Sequence, residues 1–185
     1  MNHTLEVKVL IQELNTQRLY LRKMKVSDSQ SLFEIWSDPD VTKFMNIANF
    51  TNETQAKEMI ELLDELSNEN KAIRFSMVEL KSGEIIGTCG FNMIDFENDK
   101  TEIGYDLSKK HWGMGYASEG IRALIHYAFE ILNLNRIEAK VEPANSNSIR
   151  VLQKLNFTFE GTLRQFEKSN GKYIDLHMYS LLKSD

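Results

Sequence analysis

At residues 111–120, HWGMGYASEG, a run of strands gives way to a helix across two glycines one residue apart, and this junction restricts the fold more than any other feature of the chain. Upstream, AIRFSMVEL (72–80) and EIIGTCGFNMI (84–94) read as strands joined by the tight Lys81-Ser82-Gly83 turn, with KTEIGYDL (100–107) as a third. Downstream, Ala117, Ile121, Leu124, Ile125, Ala128, Phe129 and Leu132 recur at helical spacing, so the helix that begins near Gly115 buries one face. A meander feeding a helix implies an α+β sheet. A dinucleotide-binding βαβ unit does not fit: a meander precedes the loop, and Ser118 stands where the third glycine would be. A P-loop fails for want of Gly-Lys-Ser/Thr.

The remaining elements fall around that junction. QRLYLRKM (17–24) alternates Leu19, Leu21 and Met24 with Arg18, Arg22 and Lys23 and reads as a strand. Ser27 with Gln30 forms a capping box for a helix carrying Leu32, Phe33, Ile35 and Trp36, ended by Asp38-Pro39. Asn52 caps a second helix with Met59, Ile60, Leu63 and Leu66 on one face. After the helix at Gly115 come the strand RIEAKVEP (136–143) and a helix capped by Asn145 with Ile149, Leu152 and Leu155. Two last strands, 157–168 and 172–182, flank Asn170-Gly171, the best two-residue hairpin turn in the chain. The expected order is βααβββαβαββ, about seven strands in a mixed, mostly antiparallel sheet with about four helices. No repeat, low-complexity tract or linker interrupts it, so residues 14–185 read as a single domain and residues 1–13 as a short N-terminal extension.

Composition narrows the function classes. The 185 residues are 42% hydrophobic and 26% charged, with neither a long apolar run nor a secretion signal, which points to a soluble protein and away from a membrane partner. A single cysteine and no Cys/His pair at zinc spacing imply a reducing, cytoplasmic compartment and no metal. The net charge of −5 argues against nucleic acid as a direct partner.

Six stretches, in order and spacing, carry a family resemblance: TQRLYLR, SDPDV, EIGYDL, WGMGYASEGI, LNRIEAKVEPANSNS and VLQKLNFTFEGTLR. Nearly the whole chain resembles the GNAT N-acetyltransferase superfamily, in its branch of ribosomal-protein N-terminal acetyltransferases (RimJ/RimL-like). The resemblance implies a sheet splayed in its middle and acetyl transfer from acetyl-CoA to an amine. Two positions depart from the superfamily pattern. Trp112 replaces the basic or amide residue that commonly opens the pyrophosphate loop, a frequent substitution in this branch. Asn156 replaces the usual glycine of KLGF, and asparagine is the next best residue for a left-handed helix end.

Physically, a helix N-terminus leaves orphan N–H groups and about half a positive charge, and glycines let the backbone close around an anion. By resemblance, Trp112, Gly113, Met114, Gly115, Tyr116 and Ala117 hold the pyrophosphate of coenzyme A through backbone amides; His111, beside the loop, reads equally as a phosphate contact or as a solvent-exposed histidine. Read alone, the loop is equally a turn with a good helix start. Gly104 inside a strand marks a bulge or the close approach of another backbone. The resemblance places the pantetheine arm against the main chain of Tyr105, Asp106 and Leu107, in a gap between this strand and the next.

Transfer needs an unprotonated amine, a polarised thioester carbonyl and a partner for the leaving thiolate. At pH 7, deprotonation costs roughly 1 kcal/mol for an α-amine and roughly 4.6 kcal/mol for a lysine. Glu102 is the candidate base, a solvated strand charge being the competing reading; Tyr105 and Glu138 are lesser candidates. By resemblance, Ser148 faces the CoA sulfur as a hydrogen-bond donor or relay and Asn145 contacts the pantetheine arm, although both also suit a helix cap. A backbone N–H of the splayed strand would polarise the thioester carbonyl. Cys89 in an apolar strand, with no adjacent histidine, reads as core. His126 and His177 read as structural or exposed. Trp36, Phe44 and Phe50 are candidates for an acceptor pocket, with core packing as the alternative.

The acceptor is expected to be the α-amino group of a ribosomal or other protein or a peptide, with a small-molecule amine (polyamine, aminoglycoside or amino acid) as the alternative. The chain is expected to act as a monomer or homodimer. A CoA-binding sensor without turnover and an interaction protein using the final hairpin as a dimer edge are the readings from other classes.

Overall fold

The computed structural model describes residues 10–185; the first nine residues of the expected N-terminal extension lie outside the described residues. One eight-stranded sheet organises the molecule, built from β1 (Glu13–Asn15), β2 (Leu19–Lys23), β3 (Ile73–Glu79), β4 (Ile85–Asp95), β5 (Lys100–Leu107), β6 (Arg136–Val141), β7 (Thr158–Ser169) and β8 (Lys172–Leu182). Their order across the sheet is β1-β2-β3-β4-β5-β6-β8-β7. Every neighbouring pair is antiparallel except β5 and β6. The expected α+β meander and final hairpin are all present.

Five α-helices lie on the two faces: α1 (Ser29–Trp36), α2 (Pro39–Thr42), α3 (Glu53–Asn68), α4 (Tyr116–His126) and α5 (Ser146–Lys154). The strand and helix beyond the expected count are β1, which zips onto β2 from Glu13↔Arg22 to Asn15↔Tyr20, and α2. Asp38 starts α2, its carboxylate accepting Asp40 N–H at 2.9 Å, with Pro39 in the first turn where a missing N–H does no harm. The first helix is entered differently from the capping box expected at Ser27. Asp28, not Ser27, organises this corner: it accepts Lys25 N–H at 3.0 Å, takes the Arg22 guanidinium through both oxygens and receives the Ser76 hydroxyl at 2.8 Å. Asn52 does cap α3, with Gln55 completing the box.

Side-chain alternation in β3 sorts the layers. Ile73, Phe75 and Met77 point to one face and join Phe91, Ile121, Leu124 and Tyr127 in the main core beneath α4, where the Phe91 and Tyr127 rings stack at 5.7 Å. Arg74 and Ser76 point to the other face, over which α1 and α3 pack through a second cluster of Leu32, Ile35, Trp36, Ala56 and Ile60. The sheet therefore has α4 and α5 on one side and α1 to α3 on the other.

What positions the site is the junction of β5 and β6. These parallel strands pair only over three residues, Lys100↔Arg136 to Glu102↔Glu138. Beyond that, Ile103–Leu107 and Ala139–Val141 run on without pairing to each other, and the sheet opens into a wedge. Arg136, held by Glu138 at 2.8 Å and Glu160 at 2.5 Å, fastens the closed end.

Candidate active site

The helix at the wide end of the wedge has an unusual start. Gly115 is the N-cap of α4 with φ 84° and ψ 2°, no side chain caps the helix, and Gly113 also has positive φ at 75°. The N–H groups of the first turn, Gly115 through Ser118, thus have no partner four residues back, and they converge where the dipole favours negative charge. Arg18 holds this loop. It donates from Nη1 to the Met114 carbonyl at 3.0 Å, pairs with Glu119 at 2.6 Å and lies 4.3 Å over the Tyr116 ring. Met114 is exposed and Ala117 half-buried, while Trp112 donates from Nε1 to the Leu107 carbonyl at 2.8 Å and so ties the loop to the end of β5. His111 does not stand in solvent beside the loop. It is buried beneath it, edge-on to Tyr116 at 5.9 Å.

Along the wedge, register decides which main-chain groups are free. Asp106 is paired to Thr88, and two residues on, Ser108 N–H donates to the Ile86 carbonyl at 2.8 Å. Because antiparallel pairs alternate, Asp106 directs its N–H and C=O to β4, whereas Ile103, Tyr105 and Leu107 direct theirs away from β4, the Leu107 carbonyl being taken by Trp112 Nε1. Of the three residues expected to line the gap through main chain, Tyr105 and Leu107 do so and Asp106 does not. What crowds Gly104 is side chain rather than backbone: a Cβ there would lie 2.4 Å from Asn92 Oδ1 and 2.7 Å from Arg74 Nη1. The bulge sits one strand away, at Asn92 of β4.

Across the opening, Asn145 caps α5 by accepting Ser148 N–H at 3.2 Å, which turns the Ser148 side chain toward β5. Tyr105 Oη and Ser148 Oγ are 2.5 Å apart. Burial pushes the Tyr105 phenol up to about 12, against the pull of the serine, so at neutral pH it is a proton-bearing donor. Glu102 lies on the opposite face of β5 and is ion-paired to Lys140 at 2.6 Å. Glu138 is engaged by Arg136.

These groups share one cavity of about 440 Å³. Its walls include Tyr105, Asn145, Ser148 and Leu152 on the α5 side, and Trp36, Phe44, Met59, Arg74 and Asp106 on the α1–α3 side. The cavity therefore passes through the wedge from one face of the sheet to the other. Against this geometry, residues 18–158 match the family model described as an acetyltransferase (GNAT) domain. The chain belongs to the GNAT acetyltransferases. The uncharacterized N-acetyltransferase p20 of Bacillus licheniformis is 54% identical over 175 residues, covering 95% of this chain and 98% of that protein. The ribosomal-protein-serine acetyltransferase of Escherichia coli K12 is 37% identical over 100 residues, 54% of this chain and 56% of that protein. A RimL ribosomal L7/L12 α-N-protein acetyltransferase, solved in complex with coenzyme A, superposes with a TM-score of 0.81 over 92% of this chain and 97% of its own; at 23% identity it is a likeness of fold.

In this acetyltransferase the cavity also holds residues that sequence reasoning missed. Between Leu163↔Leu176 and Glu167↔Ile174, β7 carries two extra residues, and Gln165 takes φ 48° with its N–H held by Asp175 at 2.7 Å. That bulge turns Phe166 and Glu167 toward the cavity, where the Asn46 amide meets Glu167 and Lys140 lies 5.2 Å from the Phe166 ring. Burial, then the Glu167 charge, raises the Glu142 carboxyl above its ordinary value. Trp36 and Phe44 line the cavity as expected, whereas Phe50 packs edge-on behind Trp36 at 5.6 Å and is not among the lining residues. Cys89 is fully buried and its thiol is pushed up to about 12 by burial, which fits an inert core residue. Among the described residues no group of three His, Cys, Asp or Glu side chains is placed to hold a metal ion, and no helix is long and apolar enough to cross a membrane.

Proposed function

We propose that this acetyltransferase moves the acetyl group of acetyl-CoA onto the α-amino group of a protein or peptide. The observation that carries the reading is the cavity through the wedge, which gives an acyl donor and an amine separate approaches from the two faces of the sheet. The uncapped start of α4 and the unpaired edge of β5 fit the two ends of coenzyme A: an anion cradle for its pyrophosphate and a strand edge for its amide-bearing arm.

When bound, acetyl-CoA supplies the acetyl group as a thioester. The first-turn amides of α4, with Trp112 to Ala117 around them, hold the pyrophosphate. The gap-facing main chain of Tyr105 and the N–H of Leu107 orient the arm, and an N–H of this edge polarises the carbonyl. Tyr105 and Ser148 donate a hydrogen bond to the departing sulfur, with the phenol as the buried donor and the serine as its relay. Glu102, restrained by Lys140, is the proton acceptor for the amine, directly or through water. An α-amine suits so weak a base, since it loses its proton for roughly 1 kcal/mol at pH 7 against roughly 4.6 for a lysine. The E. coli relative acts, by its name, on ribosomal-protein serine, which supports the same choice of acceptor. A single buried cysteine supports a cytoplasmic location.

Free-CoA release, followed with a thiol reagent, tests the proposal using a peptide with a free N-terminus, the same peptide blocked, spermidine and an aminoglycoside. Turnover is expected to be fastest with the free peptide. Faster turnover with spermidine or the aminoglycoside would transfer the reading to small amines, and acetyl-CoA binding without release for any amine would make the protein a CoA sensor.

A further inference from the structure

Four buried side-chain polar atoms of the described residues have no hydrogen-bond partner: Trp36 Nε1, Asp106 Oδ1, His111 Nδ1 and His177 Nδ1. Such atoms are destabilising unless something else satisfies them. The two histidines do not line the cavity through the wedge, whereas Trp36 and Asp106 both do, on its α1–α3 side.

The two differ in what they ask for. Asp106 Oδ2 accepts Arg74 Nη2 at 3.0 Å and the Thr88 hydroxyl, which fixes the carboxylate and leaves Oδ1 open. Its side chain is 2% exposed. The Trp36 ring is 3% exposed and set edge-on against Phe50, so its N–H direction is fixed as well. Oδ1 can only accept, and an indole N–H can only donate. The α1–α3 wall of the cavity therefore carries one acceptor and one donor on rigid supports.

We propose that Asp106 and Trp36 form a subsite for the first residue of a peptide, with Asp106 Oδ1 accepting an N–H of the attacking amine and Trp36 Nε1 donating to the carbonyl of that same residue. This rests on the acetyl-transfer reading and says which amine it serves. An α-amino acyl terminus carries a donor amine and an acceptor carbonyl on adjacent carbons. A polyamine, an aminoglycoside or a lysine side chain offers the amine without that carbonyl. The placement suits the chemistry, because Asp106 follows Tyr105 on β5 and its side chain emerges on the face opposite the Tyr105–Ser148 pair.

Steady-state kinetics of Asp106→Asn and Trp36→Phe, each with a free peptide and with the same peptide reduced to a methylene at its first carbonyl, tests the subsite. In Asp106→Asn, Arg74 can only donate, so the amide oxygen turns to it and the NH₂ faces the subsite, placing a donor against a donor. KM for both acceptors is expected to rise roughly tenfold, with acetyl-CoA affinity unchanged by calorimetry. Trp36→Phe is expected to raise KM for the free peptide alone. Unchanged acceptor KM in folded Asp106→Asn overturns the subsite, as does a Trp36→Phe effect equal for the two acceptors; if Trp36→Phe does not fold, Asp106→Asn decides alone. Failure of the wild-type protein to acetylate either acceptor would instead overturn the acetyl-transfer reading.

Discussion

Replacing Gly115 by alanine separates backbone strain from loss of the anion cradle. Gly115 has φ +84°, and an L-residue held there costs about 1–2 kcal/mol. The added Cβ meets only Arg18 Nη2, at 3.4 Å, an ordinary contact that adds little to that figure. Gly171, in the β7–β8 turn, has φ +79°, and a Cβ added there would have nothing within 4 Å, so Gly171→Ala carries the same strain without touching the loop. At roughly 2–4 °C per kcal/mol for a chain of this length, both variants should melt roughly 2–8 °C below the wild type in the absence of ligand. Only Gly115→Ala places a methyl group among the free first-turn amides. Its acetyl-CoA Kd should rise at least tenfold, about 1.4 kcal/mol, while that of Gly171→Ala stays near the wild-type value. Calorimetry on both proteins, with thermal melts alongside, is the assay. Equal affinities in the two folded variants would refute the cradle.

Three further outcomes are expected. Tyr105→Phe and Ser148→Ala should each lower kcat by about tenfold or more while changing the acetyl-CoA KM less, because their bond strengthens as charge develops on sulfur; equal kcat at saturation would reduce the pair to a packing contact. Acid should destabilise the fold through two carboxylates. Arg136, then the Ser180 hydroxyl, holds Glu160 at about 2. Burial alone would raise Asp28, but Arg22, Lys25 N–H and Ser76 together hold it below its usual value. Both folded values lie below the unfolded ones, so this stability is complete above about pH 4–5 and is lost as pH falls through the folded values; Arg136→Gln should flatten the decline of the urea midpoint with pH. Cys89 should resist maleimide in the native protein at pH 7 and react only on unfolding, as followed by mass; rapid native labelling would contradict its burial.

The parts of the fold legible in the sequence are those fixed by local chemistry. Asn52 and Asn145 announce helix starts, Asn170-Gly171 takes positive φ at both residues to turn the hairpin, and Asn156 adopts φ 64° at the end of α5. The glycines at 113 and 115 likewise mark a backbone that only they adopt without strain. Contacts between distant segments are not legible. Arg18 fastens a loop nearly a hundred residues away, and no local pattern announces it. Ser27 and Gln30 have capping-box spacing, yet the Arg22 and Ser76 contacts, set by the sheet, give that corner to Asp28. The β7 bulge shows in the sequence only as a slip of phase, Phe157, Phe159 and Leu163 alternating and Phe166 falling out of step, and that slip alone does not say that Phe166 and Glu167 reach the cavity. Main-chain direction along β5 is a property of register with β4, so nothing local distinguishes Asp106 from Tyr105 and Leu107.

Tandem mass spectrometry of the product formed from acetyl-CoA and a peptide bearing both a free N-terminus and an internal lysine decides the acceptor. Acetyl is expected on the N-terminal fragment ions, with the lysine fragments unmodified at early times. Acetyl on the lysine with the N-terminus left free would contradict α-amine transfer.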